Sequence, residues 1–209
     1  MNCPLKRWTR RKEARPQEIL VAALSLFVEK GYAATKIEDI ARAAGVTRGT
    51  PYLYFANKEE IFKSVIRELL LPQISQGDEI VNRWQGSIRD LFVELMHFWW
   101  TQLGAEQLSA MPKLMLAEGG NFPDVLALYR EGYVQPGNAL IRRVLQLGIE
   151  RGEFAAVDLD YAPHIISSPV IMAMISQHSL HCLPEQFDPK RYLQTILDIL
   201  LTGLLQRKG

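Results

Sequence analysis

Apolar residues recur at three- and four-residue steps along most of this chain, and strict apolar–polar alternation is scarce. The first periodic stretch contains Ile19, Leu20, Ala23, Leu24, Phe27 and Val28. This spacing predicts an amphipathic helix rather than a strand. Pro16 suits the first turn of that helix, and Gly31 is a typical stop. The chain is therefore expected to begin its ordered part with a helix over residues 16–31.

Residues that cap helices predict the next two elements. Thr35 has Glu38 three residues later, which is the spacing of a reciprocal capping pair, and the helix it opens should end at Gly45. Thr47 is expected to cap a third helix that runs through Phe55. Two short helices joined at a glycine have the plan of a helix-turn-helix, whose second helix enters the major groove of DNA.

Helical signals continue to the end of the chain and predict an all-α fold of about nine helices. Asn57, Asn121 and Asp188 are the expected caps of three of them, and Pro136 interrupts the longest. The remaining helices are expected over residues 57–72, 88–100, 121–152, 158–181 and 188–205.

Charge is distributed unevenly, although the net charge of the whole chain is only +1. Residues 1–60 contain 11 Lys and Arg against 7 Asp and Glu, whereas the remaining residues contain 13 against 16. A basic N-terminal part on a slightly acidic body suggests that one end meets a polyanion. A basic tail that only aids solubility would have the same composition.

The predicted third helix carries the groups that a DNA-reading helix needs. Thr47, Arg48 and Thr50 can exchange hydrogen bonds with base edges or phosphates, and Gly49 permits close approach of the backbone. The predicted DNA-contacting set also includes tyrosines, which have a ring and a hydroxyl, and lysines at the starts of the neighbouring helices. Its members are Thr35, Lys36, Thr47, Arg48, Gly49, Thr50, Tyr52, Tyr54 and Lys58.

The same region resembles the TetR-type transcriptional regulators. The resemblance rests on Ile37, Ile40, Ala41, Ala44, Gly45, Val46, Thr47, Gly49, Tyr52, Tyr54, Phe55, Lys58 and Ile61. It implies an all-helical homodimer, an operator of two inverted half-sites, and a C-terminal domain that binds a small molecule and then releases DNA. The implied division is a basic arm over residues 1–15, a helix-turn-helix domain over 16–62, and a ligand-binding and dimerisation domain over 63–209.

Two residues depart from the pattern of that family. Pro51 stands where an aliphatic residue is usual, and it disfavours helical geometry at Thr50 while removing one donor. We therefore expect a tighter or late-starting recognition helix. Leu53 occupies a position that is commonly polar or aromatic in that family, so the phosphate contact there is expected to be missing or to be replaced by van der Waals contact with a sugar.

Aromatic and thioether side chains concentrate in the second half of the chain and suit an apolar or aromatic ligand. They serve equally well as the core of a helical domain. The predicted ligand-binding residues are Trp84, Phe92, Met96, Trp99, Trp100, Met111, Met115, Tyr129 and Tyr133. No cofactor is expected.

The last two predicted helices are apolar on more than one side, which favours pairing across a two-fold axis. The predicted dimer interface contains Ile166, Val170, Met174, Tyr192, Ile196, Ile199 and Leu200. A double-stranded operator, a small-molecule effector and a second copy of the chain are thus the expected partners.

Several other functions are disfavoured by the sequence. His178, His181 and Cys182 have helical spacing for a metal, but no fourth ligand is evident, and no metal or catalytic site is predicted. No apolar run is long enough to span a membrane, and a cytoplasmic location is expected. The rival hypothesis is a helical carrier or enzyme that uses the aromatic region, with the N-terminal unit as a protein-interaction module.

Overall fold

The computed structural model of the chain describes residues 5–104, 107–177 and 184–205, with side chains from residue 15 onward except those of residues 103–107. The described ranges contain ten α-helices and no extended strand, which confirms the all-α prediction. Their bounds are α1 Leu5–Lys30, α2 Ile37–Ala43, α3 Lys58–Val65, α4 Pro72–Arg83, α5 Ile88–Trp99, α6 Met111–Glu118, α7 Pro123–Tyr129, α8 Gln135–Glu150, α9 Ala162–Ile175 and α10 Pro189–Leu204.

Several α-helices join into longer rods. The π-helical turn Ile66–Leu70 carries α3 towards α4, and Arg130–Val134 joins α7 to α8. The described residues therefore form eight continuous helical rods, close to the nine expected. Pro136 lies inside the α7–α8 rod, just after the π-helical turn Arg130–Val134, and has no N–H to donate to the preceding turn.

The first helix begins earlier than predicted. It starts at Leu5, so Pro16 lies inside α1 and not at its beginning. The residues before Pro16 are mostly Arg, Lys, Glu, Leu and Ala, which lose little side-chain freedom in a helix. Their propensity favours a helix ahead of the proline that continues into the helix predicted after it. Pro16 itself cannot donate a backbone hydrogen bond.

We define the N-terminal unit as α1, α2, α3 and the segment 44–57. Two of its helices end at glycines, as expected. Gly31 follows α1 with a φ of 80°, and Gly45 follows α2 with a φ of 65°. This left-handed geometry is costly for residues with a Cβ atom. The predicted cap of α3 is confirmed, because the side chain of Asn57 accepts a hydrogen bond of 2.8 Å from the backbone N–H of Glu60.

Two predicted caps in this unit are wrong. Lys36, not Thr35, is the N-cap residue of α2, and no side chain caps that helix. Thr47 does not cap a third helix: its hydroxyl lies 2.8 Å from the hydroxyl of Thr50. Residues 47–55 form turns around one short 3-10 helix, Pro51–Leu53. This segment, hereafter the recognition turn, starts late and is tighter than an α-helix, as Pro51 led us to expect.

Capping in the C-terminal half is partly as predicted. Asp188 caps α10, since its carboxylate accepts hydrogen bonds from the backbone N–H groups of Lys190 and Arg191. Asn121 does not cap α7, because Phe122 takes that position without a side-chain bond. The predicted end of α9 near His181 lies outside the described residues.

Two hydrophobic clusters form the core. The first contains the apolar faces of α1, α2 and α3 together with Met111 and Met115 of α6 and Met174 of α9. The second joins α5, α8, α9 and α10. Trp99 and Val170 are half-buried and pack against both clusters. The core of the N-terminal unit is therefore continuous with the C-terminal helices.

Candidate nucleic-acid interface and effector cavity

The recognition turn exposes polar and aromatic side chains to solvent, while two of its residues are buried against the rest of the N-terminal unit. Pro51 and Phe55 are buried and hold the turn against the N-terminal unit. Thr47, Arg48, Gly49, Tyr52 and Tyr54 are exposed, and Thr50 is half-buried. Lys36, at the start of α2, is exposed as well. These residues, all of them in the predicted DNA-contacting set, share the accessible surface of one unit.

Arg48 is linked to the preceding helix by an ion pair. Its Nη2 lies 2.8 Å and its Nε 3.2 Å from Oε1 of Glu38 in α2. The backbone N–H of Glu38, and after it the Arg48 hydrogen bond, hold the pKa of that carboxyl below its usual value. Water screens an exposed pair of this kind, so it contributes little to stability. The pair orients the guanidinium outward more than it stabilises the fold.

Gly49 has no structural requirement to be glycine. A Cβ atom added there would have no heavy atom within 4 Å, and its φ is not positive, unlike that of Gly45. An internal reason for the missing side chain is therefore absent among the described residues. Close approach of an external partner to the backbone remains the reason predicted from the sequence.

Two members of the predicted set turn inward, which corrects their assignment. Thr35 is only 1% exposed, and its hydroxyl lies 2.8 Å from the carbonyl of Gly31 and 3.2 Å from that of Leu26. The Nζ of Lys58 donates to the carbonyls of Tyr32, Ala33 and Thr35 at 2.7, 3.3 and 2.9 Å. Both side chains hold the α1–α2 connection instead of facing outward.

Lys58 is a half-buried cation whose contacts lie within the N-terminal unit. Its Nζ also lies 4.3 Å from the centroid of the Tyr32 ring, and burial lowers the pKa of the ammonium group. All three N–H donors of a lysine are matched by carbonyl acceptors. A phosphate contact through Lys58 would require breaking these bonds.

A cavity of about 100 Å³ lies where the two core clusters meet. Five predicted ligand-binding residues line it: Met96, Trp99, Met111, Tyr129 and Tyr133. The other four do not. Trp84, Phe92, Trp100 and Met115 pack elsewhere, and Phe92, for example, makes an edge contact with Phe154 in the second cluster.

Sequence reasoning missed the aliphatic part of the cavity wall. Leu70, Ile74, Leu108 and Ile141 line the cavity, and so do Val170 and Met174, which had been assigned to the dimer interface. Aliphatic residues at helical spacing look alike whether they face a core or a cavity. No local signal distinguishes the two, because the cavity arises from the way distant helices meet.

None of the described residues that line the cavity carries a charge. Asn138 contributes an amide and Ser167 an aliphatic hydroxyl to the wall, and both bond to His164: Asn138 to its ring at 3.2 Å and Ser167 to its backbone carbonyl at 3.2 Å. The Tyr129 and Tyr133 rings stack at 5.7 Å. Burial raises the pKa of Tyr129 to about 12 and that of Tyr133 further, so both phenols are neutral near pH 7.

The C-terminal helices contact the N-terminal unit through two side-chain pairs beside α7. Phe122 meets Tyr32 edge-on at a centroid distance of 4.6 Å, and Asp124 lies 3.5 Å from the Nζ of Lys63 in α3. Leu70 and Met111 belong both to the cavity wall and to the first core cluster. A change in the cavity can thus reach the N-terminal unit through packed side chains.

The surface of α9 and α10 retains apolar side chains on an outward face. This face contains Tyr161, Ile165, Met172 and Ile199, whose exposed fractions in the single chain run from 54% to 69%. Of the predicted interface residues, Ile199 lies on this face and Leu200 is half-buried at its edge. Ile166, Met174 and Ile196 instead point into the chain, where they are buried, which corrects their assignment.

Val170 and Tyr192 also face the interior. Both are half-buried, Val170 in the cavity wall and Tyr192 stacked on Trp100 with its hydroxyl donated to the carbonyl of Pro169. The apolar residues of α9 lie on all sides of the helix, so their periodicity alone could not distinguish its inward face from its outward face.

The metal and membrane predictions are addressed only in part. His178, His181 and Cys182 lie outside the described residues, and the described ranges contain no cluster of residues suited to a metal ion. Within those ranges no helix is both long and apolar enough to cross a bilayer.

Comparisons with known proteins agree with this architecture. Residues 19–65 match the family described as bacterial regulatory proteins, tetR family, and residues 85–187 match the tetracyclin repressor-like C-terminal domain. The chain belongs to the TetR family of helix-turn-helix transcriptional regulators, which confirms the resemblance seen in the sequence. This is a family of regulators, not of catalysts, in agreement with the prediction of a non-enzymatic protein.

Particular relatives share most of the chain. The HTH-type transcriptional regulator YfiR of Bacillus subtilis (strain 168) is 42% identical over 203 residues, which is 89% of this chain and 93% of YfiR. The structure of the fatty acid degradation regulator FadR from Bacillus halodurans superposes with a TM-score of 0.74 at 26% identity, covering 90% of this chain and 98% of that one. FadR from Bacillus subtilis, solved in complex with stearoyl-CoA, gives 0.72 at 21% identity, with the same coverages of 90% and 98%.

Proposed function

We propose that this protein is a ligand-responsive repressor that binds a palindromic operator as a homodimer and is released by a small apolar or aromatic effector. The observation that carries the proposal is the exposed recognition turn, whose Thr, Arg and Tyr side chains face solvent from a unit that shares its core with the cavity wall. Residues 16–62 form the proposed DNA-binding domain and residues 63–209 the effector-binding and dimerisation domain, with residues 1–15 as a basic arm.

Base recognition is assigned to the recognition turn. Arg48 can reach base edges while its other contact with Glu38 fixes its direction. Tyr52 and Tyr54 offer rings for thymine methyls or sugars and hydroxyls for phosphates, and Lys36 supplies a cation beside them. Thr35 and Lys58 have a supporting role, since they fix the α1–α2 connection and Lys58 ties it to the start of α3, the helix that follows the turn.

Dimerisation is assigned to the outward apolar face of α9 and α10. Tyr161, Ile165, Met172 and Ile199 would be costly to leave in water, and a helix that is apolar all round is typical of a buried position. A two-fold axis beside this face would bring the same residues of a second copy against them. Two recognition turns could then meet one duplex about one helical turn apart, ~34–36 Å.

Release by an effector is supported by the position of the cavity. It is bounded by Leu70 and Met111, which belong to the same core cluster as the apolar faces of α1, α2 and α3. At about 100 Å³ it is small, so a ligand of several rings must displace wall side chains. A protein of the same fold, FadR from Bacillus subtilis, was solved in complex with stearoyl-CoA, whose acyl chain is long and apolar. A ligand shifts the conformational equilibrium only by its preference for one conformer.

Selection of fragments from random duplex DNA by the full chain tests the proposal. We expect one palindromic sequence to be enriched, and we expect its binding to weaken steeply with salt, by a slope near −0.9 for each phosphate neutralised. A carrier or enzyme with an interaction module would retain no DNA at any salt concentration. That result would refute the proposal.

A further inference from the structure

Two π-helical turns lie at the same level of two neighbouring helical rods. The turn Ile66–Leu70 joins α3 to α4, and the turn Arg130–Val134 joins α7 to α8. At Gly132 in the second turn, an added Cβ atom would lie 3.0 Å from Cδ2 of Leu71, the residue that follows the first turn. The two irregular turns are therefore packed against each other.

Contacts on either side of these turns show that the two rods run side by side. Before the turns, Nζ of Lys63 in α3 lies 3.5 Å from the carboxylate of Asp124, at the start of α7. After the turns, Arg143 of α8 bonds to Asp78 at 3.0 Å and to Asn82 at 2.6 Å, both in α4. Helix α3 is thus paired with α7, and α4 is paired with α8.

The hydrogen bonds of the two turns have an alternative close by. The backbone N–H of Leu71 donates to the carbonyl of Ile66 at 3.0 Å, and that of Gln135 donates to the carbonyl of Arg130. Each acceptor lies five residues earlier in the chain, whereas an α-helix uses the carbonyl four residues earlier. Because π-helical turns are places where helices bend, a change of acceptor there can redirect one half of a rod relative to the other.

Both turns contribute residues to the wall of the cavity. Leu70 comes from the first turn, and Tyr133 and Val134 come from the second. The cavity is only about 100 Å³, so a ligand of several rings presses on these side chains. Filling the cavity therefore acts directly on the two irregular turns.

We propose that the two π-helical turns form a paired hinge, about which the N-terminal unit and α7 move together relative to α4 and α8 when the cavity is filled. This inference rests on the proposed function and names the device that regulates it. Tyr32 and Phe122, whose rings meet at 4.6 Å, help to hold the N-terminal unit to α7. Movement at the hinge redirects α3 and the recognition turn of each copy, so an occupied cavity favours a conformer with different positions of the two turns on DNA.

Filling the cavity by mutation tests the hinge without a known ligand. Val170 is half-buried in the cavity wall and belongs to α9, outside both rods, and Val170→Phe adds an aromatic ring to the enclosed space. We expect this variant to bind an operator fragment selected from random DNA roughly 5- to 150-fold more weakly than the wild type, the range of ordinary allosteric coupling.

A second background removes the hinge. Glu68 and Glu131 are exposed residues, one in each π-helical turn. Deletion of both takes one residue out of each turn and returns the rods to regular α-helix, with the flanking faces in their original directions. The double-deletion chain should melt close to the wild type. In that background, Val170→Phe should weaken operator binding by roughly threefold or less, below the range of allosteric coupling.

Two matched controls accompany these variants. Leu116→Phe adds a ring at a residue that is 73% exposed and outside the cavity, and it should leave operator binding unchanged in both backgrounds. Gln146 is also exposed but lies in the regular part of α8. Its deletion turns the following residues of the helix by about 100°, so this chain should melt well below the double-deletion chain.

A spectroscopic measurement on the chain without deletions covers the case in which the double deletion does not fold. The carbonyl carbons of Ile66 and Arg130, which accept the bonds of the two turns, are assigned by NMR in the wild type and in Val170→Phe. Both resonances should shift together when the cavity is filled. The carbonyl carbon of Val144, in the middle of α8, should not shift.

Three results would overturn the hinge and leave the proposed function intact. They are an equal effect of Val170→Phe in both backgrounds, carbonyl resonances of Ile66 and Arg130 that do not respond to it, and a Gln146 deletion that is as stable as the double deletion. If Val170→Phe leaves operator binding of the otherwise wild-type chain unchanged, the hinge falls together with the effector part of the proposed function. The DNA selection then decides the rest independently.

Discussion

Replacement of Lys58 by Met separates a structural role from a DNA-contacting one. Methionine keeps an unbranched stem of similar length against Tyr32, but it removes the ammonium group and its bonds to three carbonyls. Two of those bonds, at 2.7 and 2.9 Å, are short. Hydrogen bonds to a charged group contribute about 1.5–3 kcal/mol each. Because Lys58 is half-buried and water can replace part of the loss, we expect about 1.5–3 kcal/mol in total.

The assay is thermal unfolding followed by circular dichroism, combined with operator binding at several salt concentrations. For a chain of this length, the expected loss corresponds to a fall in Tm of roughly 3–12 °C. Well below the Tm of the variant, the salt slope of operator binding should match that of the wild type, since no phosphate contact is lost.

Lys36→Met is the matched control for this experiment. Lys36 is exposed and is assigned to phosphate, so its replacement should leave stability within about 0.5 kcal/mol and reduce the salt slope by about 0.9. A structural role for Lys58 is refuted if Lys58→Met has the same Tm as the wild type while the salt slope of its operator binding falls by about 0.9. Lys58 would then be the phosphate contact that the sequence suggested.

Three further predictions concern the recognition turn and the dimer. Arg48→Ala should lower operator affinity roughly 5- to 140-fold, the range of one bidentate base contact, and leave affinity for random DNA nearly unchanged. Gly49→Ala should weaken operator binding without lowering the urea midpoint, whereas Gly45→Ala should cost about 1–2 kcal/mol of stability because of its φ of 65°. Ile199→Glu should yield monomers in sedimentation velocity, whereas Leu116→Glu, at a residue 73% exposed on α6, should not.

Each of these predictions can fail in a specific way. Equal losses on operator and random DNA would remove Arg48 from base recognition. Full operator affinity in Gly49→Ala would show that the missing side chain serves no close approach. A dimer that persists in Ile199→Glu would place the two-fold axis on another face.

Local chemistry explains the parts of the fold that were predictable. Gly31 and Gly45 end helices because each adopts a positive φ, and Asn57 and Asp188 cap helices by bonding to N–H groups two or three residues away. These interactions are completed within one turn of chain. A sequence contains everything needed to anticipate them.

Apart from the misassigned caps and the start of α1, the errors concern contacts between distant segments. Lys58 faces inward because carbonyls 23 to 26 residues earlier in the chain converge on it. Thr35 is buried by its approach to Leu26 at the end of α1, and the cavity wall joins residues from Leu70 to Met174. Spacing along the chain does not reveal which of several apolar or polar positions these helices bring together.

The central claim is that two recognition turns of one dimer read one symmetric operator. Light scattering of the complex with a selected fragment, together with a hydroxyl-radical footprint of the same complex, tests it most directly. Our account predicts two chains on each duplex and two protected segments centred about one helical turn apart, roughly 10–10.5 base pairs. One chain on a single protected segment would contradict it.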